Sequence, residues 1–474
     1  MNIKTPNPMF NRPLINVGAL LDVPTGSFVK GAKGEMILNG GLSGVEGVLG
    51  GGNTFKSTFQ HYMMLSAVNR MNYSGIDTGL HTYDTEDNMA LNIEKLNKLS
   101  NNMDYIPDEP LYDESVWSVI PKSQMNADKW INFIYDFVEK KNKSKKLIKY
   151  EAFYNRVYKK ITELPKPNFI EIDSFTEFEP ASTIDVLEKG DIENSNTLFM
   201  KQGLFKTKVL KDLPRISNTS NVYFFLTAHV ATKINMATGP FALQPKKDLQ
   251  FMRADEQAKG VTSKLYFLTT HLWQSTGATP LIKRETKTPE YPVNDNDVET
   301  DLNILKIKML RSKSGPSGFV LELVVSQREG VLPALTEFDF IKKSKEGLDG
   351  NLRFYNLDIY PDVKLSRTTV RNLIGNDKKL RRALNITAEL IQMKNYMPQY
   401  KSLYCTTKEL YEDIKALGYD WDDILENTRG WWTINQYDPK LKLKFLSTLD
   451  LLRMRARLYT PYWYKKNDKK KESK

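Results

Sequence analysis

The residues best suited to chemistry in this chain come early. Gly50-Gly51-Gly52-Asn53-Thr54-Phe55-Lys56-Ser57-Thr58 has the makings of a phosphate cradle. Consecutive glycines let backbone N–H groups turn inward around phosphate oxygens. Lys56 adds a point charge for the β- and γ-phosphates, and Ser57 offers a hydroxyl to Mg²⁺. The run from Ser57 to Met71 reads as a helix whose N-terminus would aim partial positive charge at the phosphates. The usual pattern has glycine just before the lysine, where this chain has Phe55. Taken alone, the loop therefore competes with a plain flexible glycine-rich turn.

Three stretches downstream could complete such a site, each a strand closing on a polar residue. Gly79 to Glu86 has Thr82 and Tyr83 suited to a strand, with Asp84-Thr85-Glu86 at its C-terminal end, where open α/β sheets bind ligands. Phe169-Ile170-Glu171-Ile172-Asp173-Ser174 closes on an acid able to orient water on Mg²⁺. Pro165 and Pro167 before it stop any helix. Asn221 to His229 is too apolar to face water and reads as a fully buried strand. His229 at its end is placed to sense a phosphate.

Composition narrows the alternatives. At 474 residues and 40% hydrophobic content, the chain has room for two or three domains with real cores. No apolar run approaches the roughly 18 residues of a membrane span, and Met1 to Asn11 lacks a secretory pattern. One cysteine, Cys405, leaves neither internal disulfides nor a cysteine metal cluster and points to a reducing interior. None of the four histidines has the spacing of a zinc hydrolase. A net charge of +11 favours a polyanionic partner such as nucleic acid.

The remaining segments give an organisation. Residues 1–42 read as an arm or lead-in, set either against a neighbouring subunit or along the surface. Asn88 to Lys166 reads as mostly helical and charged, with Ile131, Phe133, Ile134 and Phe137 at helical spacing and a basic stretch from Lys140 to Lys146. A helix surrounds Phe205, Val209, Leu210 and Leu213. Lys233 to Lys259 is loop-like and long enough to be functional. Strands are expected at Lys264–Thr269, Leu302–Leu310 and Phe319–Ser326, the last two separated by the basic turn Arg311-Ser312-Lys313-Ser314-Gly315. Beyond about residue 345, helices are expected at Ser366–Ile374 and Asp377–Lys394, with Ser366 and Asp377 as N-caps. Lys378, Lys379, Arg381 and Arg382 crowd the start of the second, against the helix dipole, as if meant for a partner. Tyr462, Trp463 and Tyr464 are interleaved with lysines in the tail, a mixture suited to single strands or to a solvated terminus.

In this order the motifs resemble the RecA-type recombinase family, most closely its T4-type phage branch, over roughly residues 43–340. That branch has Ser-Phe-Lys-Ser in its loop, so Phe55 becomes a match. Its acidic strand has Tyr-Asp-Ser-Glu, similar to Tyr83-Asp84-Thr85-Glu86. Its metal strand has Ile-Asp-Ser, like Ile172-Asp173-Ser174, and its sensor strand ends in Asn-His, like Ala228-His229. Its basic turn is similar to Arg311-Ser312-Lys313.

The resemblance implies an α/β fold: a RecA-like P-loop ATPase core with a central, mostly parallel sheet flanked by helices. The span from Glu86 to Asp173 is longer than such cores need and points to a helical insertion near 100–165, while 341–474 reads as a smaller, mainly helical domain whose residues match no motif of the family. The resemblance also implies ATP and Mg²⁺ as cofactors. Gly50 to Thr58 would hold the nucleotide, Ser57 and Asp173 the metal, and Glu86 would orient the attacking water. His229 would report the γ-phosphate, while Arg311 and Lys313 would reach a neighbouring subunit's nucleotide. Residues 188–203 and 233–261 would face DNA, with Lys201, Lys233, Lys246, Lys247, Arg253 and Lys259 as candidate contacts.

The implied partners are single-stranded DNA, duplex during pairing, further copies of the chain in a filament, and single-strand-binding or mediator proteins. No membrane is implied, and the compartment would be the cytoplasm, that of the host for a phage protein. Two other readings are a hexameric replicative helicase, which would normally have a sizeable helical domain before the loop, and a non-catalytic single-strand DNA-binding or annealing protein.

Overall fold

The computed structural model describes residues 14–464, apart from 31–35, 90–95, 100–102, 104–116, 151–161, 184–194, 234–245, 397–403, 432–443 and a few single positions. A short helix α1 (Asp22–Thr25) and a hairpin of β1 (Ser27–Lys30) and β2 (Met36–Asn39) lead into a ten-stranded sheet. Its parallel part runs β5 (Trp117–Pro121), β4 (Gly79–Asp84), β8 (Asn168–Asp173), β9 (Val222–Thr232), β3 (Val45–Gly50) and β11 (His271–Pro280). Antiparallel strands β12 (Leu302–Ser312), β13 (Val320–Ser326) and β14 (Gly330–Val331) extend one side, and β10 (Glu256–Ala258) pairs with the far end of β9. Helices cover both faces, as the α/β reading expects.

The apolar runs explain the layering. A strand buried on both faces needs apolar side chains at odd and even positions alike. Phe169, Tyr223, Phe225 and Val48 enter one cluster with α2 (Lys56–Tyr73). Ile170, Ile172, Phe224, Leu226 and Leu49 enter the opposite one, beneath α3 (Ala127–Lys143) and α4 (Ser195–Ser220). Helix α2 is buried at every position from Thr58 to Met71. Apart from His61, Lys56 and Arg70 are its only charged side chains, a composition suited to a helix enclosed all round.

Several expectations need correction. The lead-in is core: Ile15, Val17, Leu20, Leu21 and Val23 are all buried in the same cluster as α2. The carboxylate of Asp22 accepts from the backbone N–H of Val17 and Gly18, and burial pushes its pKa up to about 7. Within 88–166, Trp117–Pro121 is an edge strand of the central sheet. Residues Leu147–Tyr150 (β6) and Thr162–Pro165 (β7) form a hairpin instead of helix.

Lys264–Thr269 is not a strand but the short helix α5 (Lys264–Leu268), and the strand begins two residues later at His271. The run is rich in strand-forming residues, yet Thr269 Oγ1 bonds back to the Leu265 carbonyl, 2.9 Å, as a helical turn allows.

Past α6 (Pro333–Ser344) lies a three-stranded antiparallel sheet, β15 (Leu348–Gly350), β16 (Phe354–Leu357) and β17 (Tyr360–Ser366), not foreseen in the sequence. Helices α7 (Val370–Asn376) and α8 (Lys378–Tyr396) follow. Asp377 caps α8 by accepting from Leu380 N–H, 3.0 Å. Leu380, Leu384, Thr387 and Ile391 are buried on α8 as expected, and its apolar residues share the cluster of α2 and α6.

The basic start of α8 has intramolecular partners. Lys379 pairs with Asp422, Arg381 donates to the carbonyls of Ile374 and Gly375, and buried Arg382 donates to the Leu446 carbonyl. The short helices α9 (Thr407–Ala416), α10 (Trp421–Asn427) and α11 (Thr448–Arg455) complete the region. Of the tail aromatics, Tyr464 donates to the Gly418 carbonyl and Lys444 lies over the Trp463 ring, so they fold back on this region; residues 465–474 are outside the described residues.

Leu21 lies in the lead-in with no exposure. Leu21→Ala is expected to cost about 2–5 kcal/mol in denaturant unfolding. A loss under about 0.5 kcal/mol, the level of a surface site, would show that the lead-in is not core.

Candidate nucleotide site

The parallel register sets the strand tips level. Gly50 pairs with His229 on one side and Ser275 on the other, and Asp84 pairs with Asp173. The loop between β3 and α2 opens at this edge. Asn53 and Phe55 have left-handed backbone, φ 56° and 60°. Phe55 thus adopts the conformation for which glycine is the usual residue, at a cost of about 1–2 kcal/mol, while its ring packs against the main apolar cluster. Thr54 Oγ1 donates to the Gly51 carbonyl, 3.0 Å, and Ser275 Oγ donates to the Thr54 carbonyl, tying the loop to β11. Lys56 is the first residue of α2.

Ser57 Oγ and Thr227 Oγ1 both donate to Asp173 Oδ1, at 3.0 and 2.9 Å. Burial, and then the nearby Glu171 charge, raise the Asp173 pKa. A divalent cation would oppose both effects by favouring the ionised carboxylate, so this pair fits Mg²⁺. Among the described residues there is no cluster of three or more metal-ligating side chains. The ion would take one hydroxyl and one carboxylate, with phosphate oxygens and water completing its shell, as Mg²⁺ commonly does.

Glu86 follows β4 by two residues. Asp84 shapes that turn by accepting from Glu86 N–H, 3.1 Å, and Met89 N–H, 2.7 Å. Glu86 Oε1 lies 3.5 Å from His229 Nε2. Both side chains are partly exposed, so water can reach the pair. His229 does not end its strand: β9 runs on to Thr232, and the His229 N–H donates to Thr176 Oγ1, 2.9 Å. Beneath the site, Glu171 is buried between β8 and α2, accepting from Gln60 and Thr82 and pairing with His61 at 3.0 Å. Burial pushes its pKa up, but His61 and these hydrogen bonds outweigh it and hold the carboxylate below its usual range.

Arg311 and Lys313 are not at this edge, whereas the Lys259 N–H donates to the His229 carbonyl, 2.8 Å. Arg311 pairs with Leu272, itself opposite Gly47, so the basic turn lies beyond the start of β3, away from the chain's own loop. Arg311 donates to the Tyr266 and Phe267 carbonyls, 3.1 and 3.2 Å, and Lys313 Nζ to the Leu268 carbonyl, 3.5 Å.

Lys201 is exposed on α4, so residues 195–203 are helix and not loop; residues 188–194 lie outside the described residues. Lys233 donates to Asp248 Oδ1 and the Lys246 carbonyl, both 2.6 Å, and Arg253 pairs with Asp255. The side chains of Lys246, Lys247 and Lys259 are exposed, while 234–245 fall outside the described residues.

The sequence reading missed Thr227 and Ser275, gave Glu171 no role, and set Asp84 beside Glu86 as an acid for a metal or water, whereas it holds the turn. Thr227 had one signal, a hydroxyl two residues before His229 in an otherwise apolar run.

A Cβ on Gly50 would lie 2.5 Å from Thr54 Oγ1, whereas one on Gly52 would meet nothing within 4 Å. Gly50→Ala is therefore expected to destabilise the nucleotide-free protein by about 1–3 kcal/mol. Gly52→Ala should stay within about 0.5 kcal/mol. Denaturant unfolding checks both, and equal losses would contradict the loop geometry. If Gly52→Ala keeps its stability yet loses triphosphate binding, the space above Gly52 is where the ligand sits.

No family model matches this sequence, and no curated protein matches it either. Among solved structures, it is similar to one described as the ATPase domain of G40P, at 11% identity and a TM-score of 0.34, over 60% of this chain and 83% of that one.

Proposed function

We propose that the chain is a Mg²⁺-dependent ATPase of the RecA type that assembles on single-stranded DNA and promotes homologous pairing and strand exchange, in phage recombination, repair and replication within the host cytoplasm. The observation that carries the ATPase reading is the convergence on one loop of the Ser57–Asp173 pair and the Glu86–His229 pair. The choice of recombinase follows from the five motifs in order and from the net positive charge.

Each side chain has a task in this reading. The backbone of the loop and Lys56 hold the β- and γ-phosphates. Ser57 and Asp173 would hold Mg²⁺, which would supply charge compensation for the phosphate oxygens. Glu86 accepts a proton from, and aligns, the water that attacks the γ-phosphorus. His229, within reach of Glu86, senses whether that phosphate is present and passes the difference along β9 to residues 233–261. Arg311 and Lys313, remote from their own loop, serve the nucleotide of the next copy. Phosphoryl transfer asks the protein mainly for positioning and charge compensation.

Glu86→Gln should bind ATP with near-parental affinity but turn it over about 10²–10⁴-fold more slowly, in a phosphate-release assay with and without single-stranded DNA. Parental turnover indifferent to DNA would defeat the recombinase reading. Electron microscopy with ATP and single-stranded DNA separates the alternatives: helical filaments are expected, closed rings that unwind forks would mean a helicase, and pairing by Lys56→Ala at the parental level would mean a non-catalytic annealing protein.

A further inference from the structure

At the end of β3 opposite the phosphate loop, three polar side chains form a chain that runs from the interior to the half-buried Ser314. Glu46 and His271 are register partners on β3 and β11, and both are fully buried. His271 Nδ1 lies 2.8 Å from Glu46 Oε1, and its Nε2 lies 2.7 Å from Ser314 Oγ in the basic turn.

These distances would suit a nucleophile, a base and an orienting acid, but the hydrogens do not. A serine hydroxyl has one proton, and Ser314 gives it to the Thr25 carbonyl and not to His271. Glu46 is an acceptor at both oxygens, from Ser43 N–H at 2.7 Å and Trp273 Nε1–H at 3.3 Å. The ring ties two oxygens together, one on β3 and one in the basic turn.

The far end of this tie is the turn that carries Arg311 and Lys313. Lys313 N–H donates to the Thr270 carbonyl, 3.0 Å, and Ser312 Oγ accepts from the N–H groups of Ser314 and Gly315. A Cβ on Gly315 would lie 2.6 Å from Gly26 N, so the turn rests directly on lead-in backbone. A buried chain of hydrogen bonds adds only modest net stability. Its geometric effect here is plain: it fixes a solvent-facing turn to the first residues of β3 and β11.

We infer that Glu46, His271 and Ser314 are positioning residues that set where Arg311 and Lys313 are presented to the triphosphate held by a neighbouring copy of this chain. The task of the two cations rests on the function proposed above; the brace itself rests on the contacts just described.

Two measurements separate these. The first is tryptic cleavage after Arg311 and Lys313, read by mass spectrometry, which reports the turn without reference to nucleotide. Ser314→Ala and His271→Asn should both speed it several-fold. Cleavage at the parental rate in both overturns the inference. Ser314→Ala decides alone should His271→Asn fail to fold by circular dichroism.

The second is DNA-stimulated ATP turnover. A misplacement of about 1 Å can cost about 10²-fold, so turnover in these variants should fall towards that level while binding of a fluorescent ATP analogue is retained. Mixing either variant with Lys56→Ala should restore turnover, because an intact turn then meets an intact loop. Failure of that mixture to restore turnover overturns the inference. Unchanged turnover in an Arg311→Ala, Lys313→Ala double variant would instead overturn the role proposed for the cations, with the cleavage result still deciding the brace.

Discussion

The site depends on the parallel register of four neighbouring strands. Side chains alternate along a strand, so a slip of one residue would turn every one to the other face. With Asp84 opposite Asp173 and Gly50 opposite His229, the odd-numbered residues of β8 face α2. Phe169, Glu171 and Asp173 then form a graded series, from apolar core, through a buried ion pair with His61, to the acid at the site. Two hydroxyls from different elements, Ser57 on α2 and Thr227 on β9, meet on one oxygen of Asp173. Helix and strand tips are therefore held together before any ligand arrives.

The helix beneath the loop is anchored by a polar network within a largely apolar layer. Gln60 and His61 reach Glu171, which also accepts from Thr82, and Thr82 accepts from Trp117 on the edge strand. Such a network is costly unless every member is satisfied. In exchange it fixes the rotation of α2, and so the direction in which Ser57 points. Trp117 brings the edge strand, read in the sequence as helical territory, into the support of the site.

The parts legible in the sequence were those with a strong local signal. The loop, its helix, and the strands ending near Glu86 and Asp173 were found because glycine runs and apolar runs have few other uses. The strand His271–Pro280 was missed because its inward polar residues, His271 and Gln274, look solvent-facing until Glu46 and Glu256 are seen opposite them. The burial of the lead-in was equally hidden. Its apolar residues are short runs between glycines and prolines, and the surface that covers them, including α2 and α8, lies elsewhere in the sequence. The basic start of α8 looked like a surface for a partner because Asp422 and the Leu446 carbonyl lie far away in sequence. Charges read along a chain show what needs pairing, not what does the pairing.

Strand β3 carries the phosphate loop at one end and is tied to the basic turn at the other. A seam that joined one copy's turn to the next copy's loop would bring unlike surfaces together, a heterologous contact. Such contacts either close into a circle or repeat without limit. An assembly of the second kind would have two different termini, one showing a bare loop and the other a bare turn. Its direction along a nucleic acid would then be encoded in a single six-residue strand.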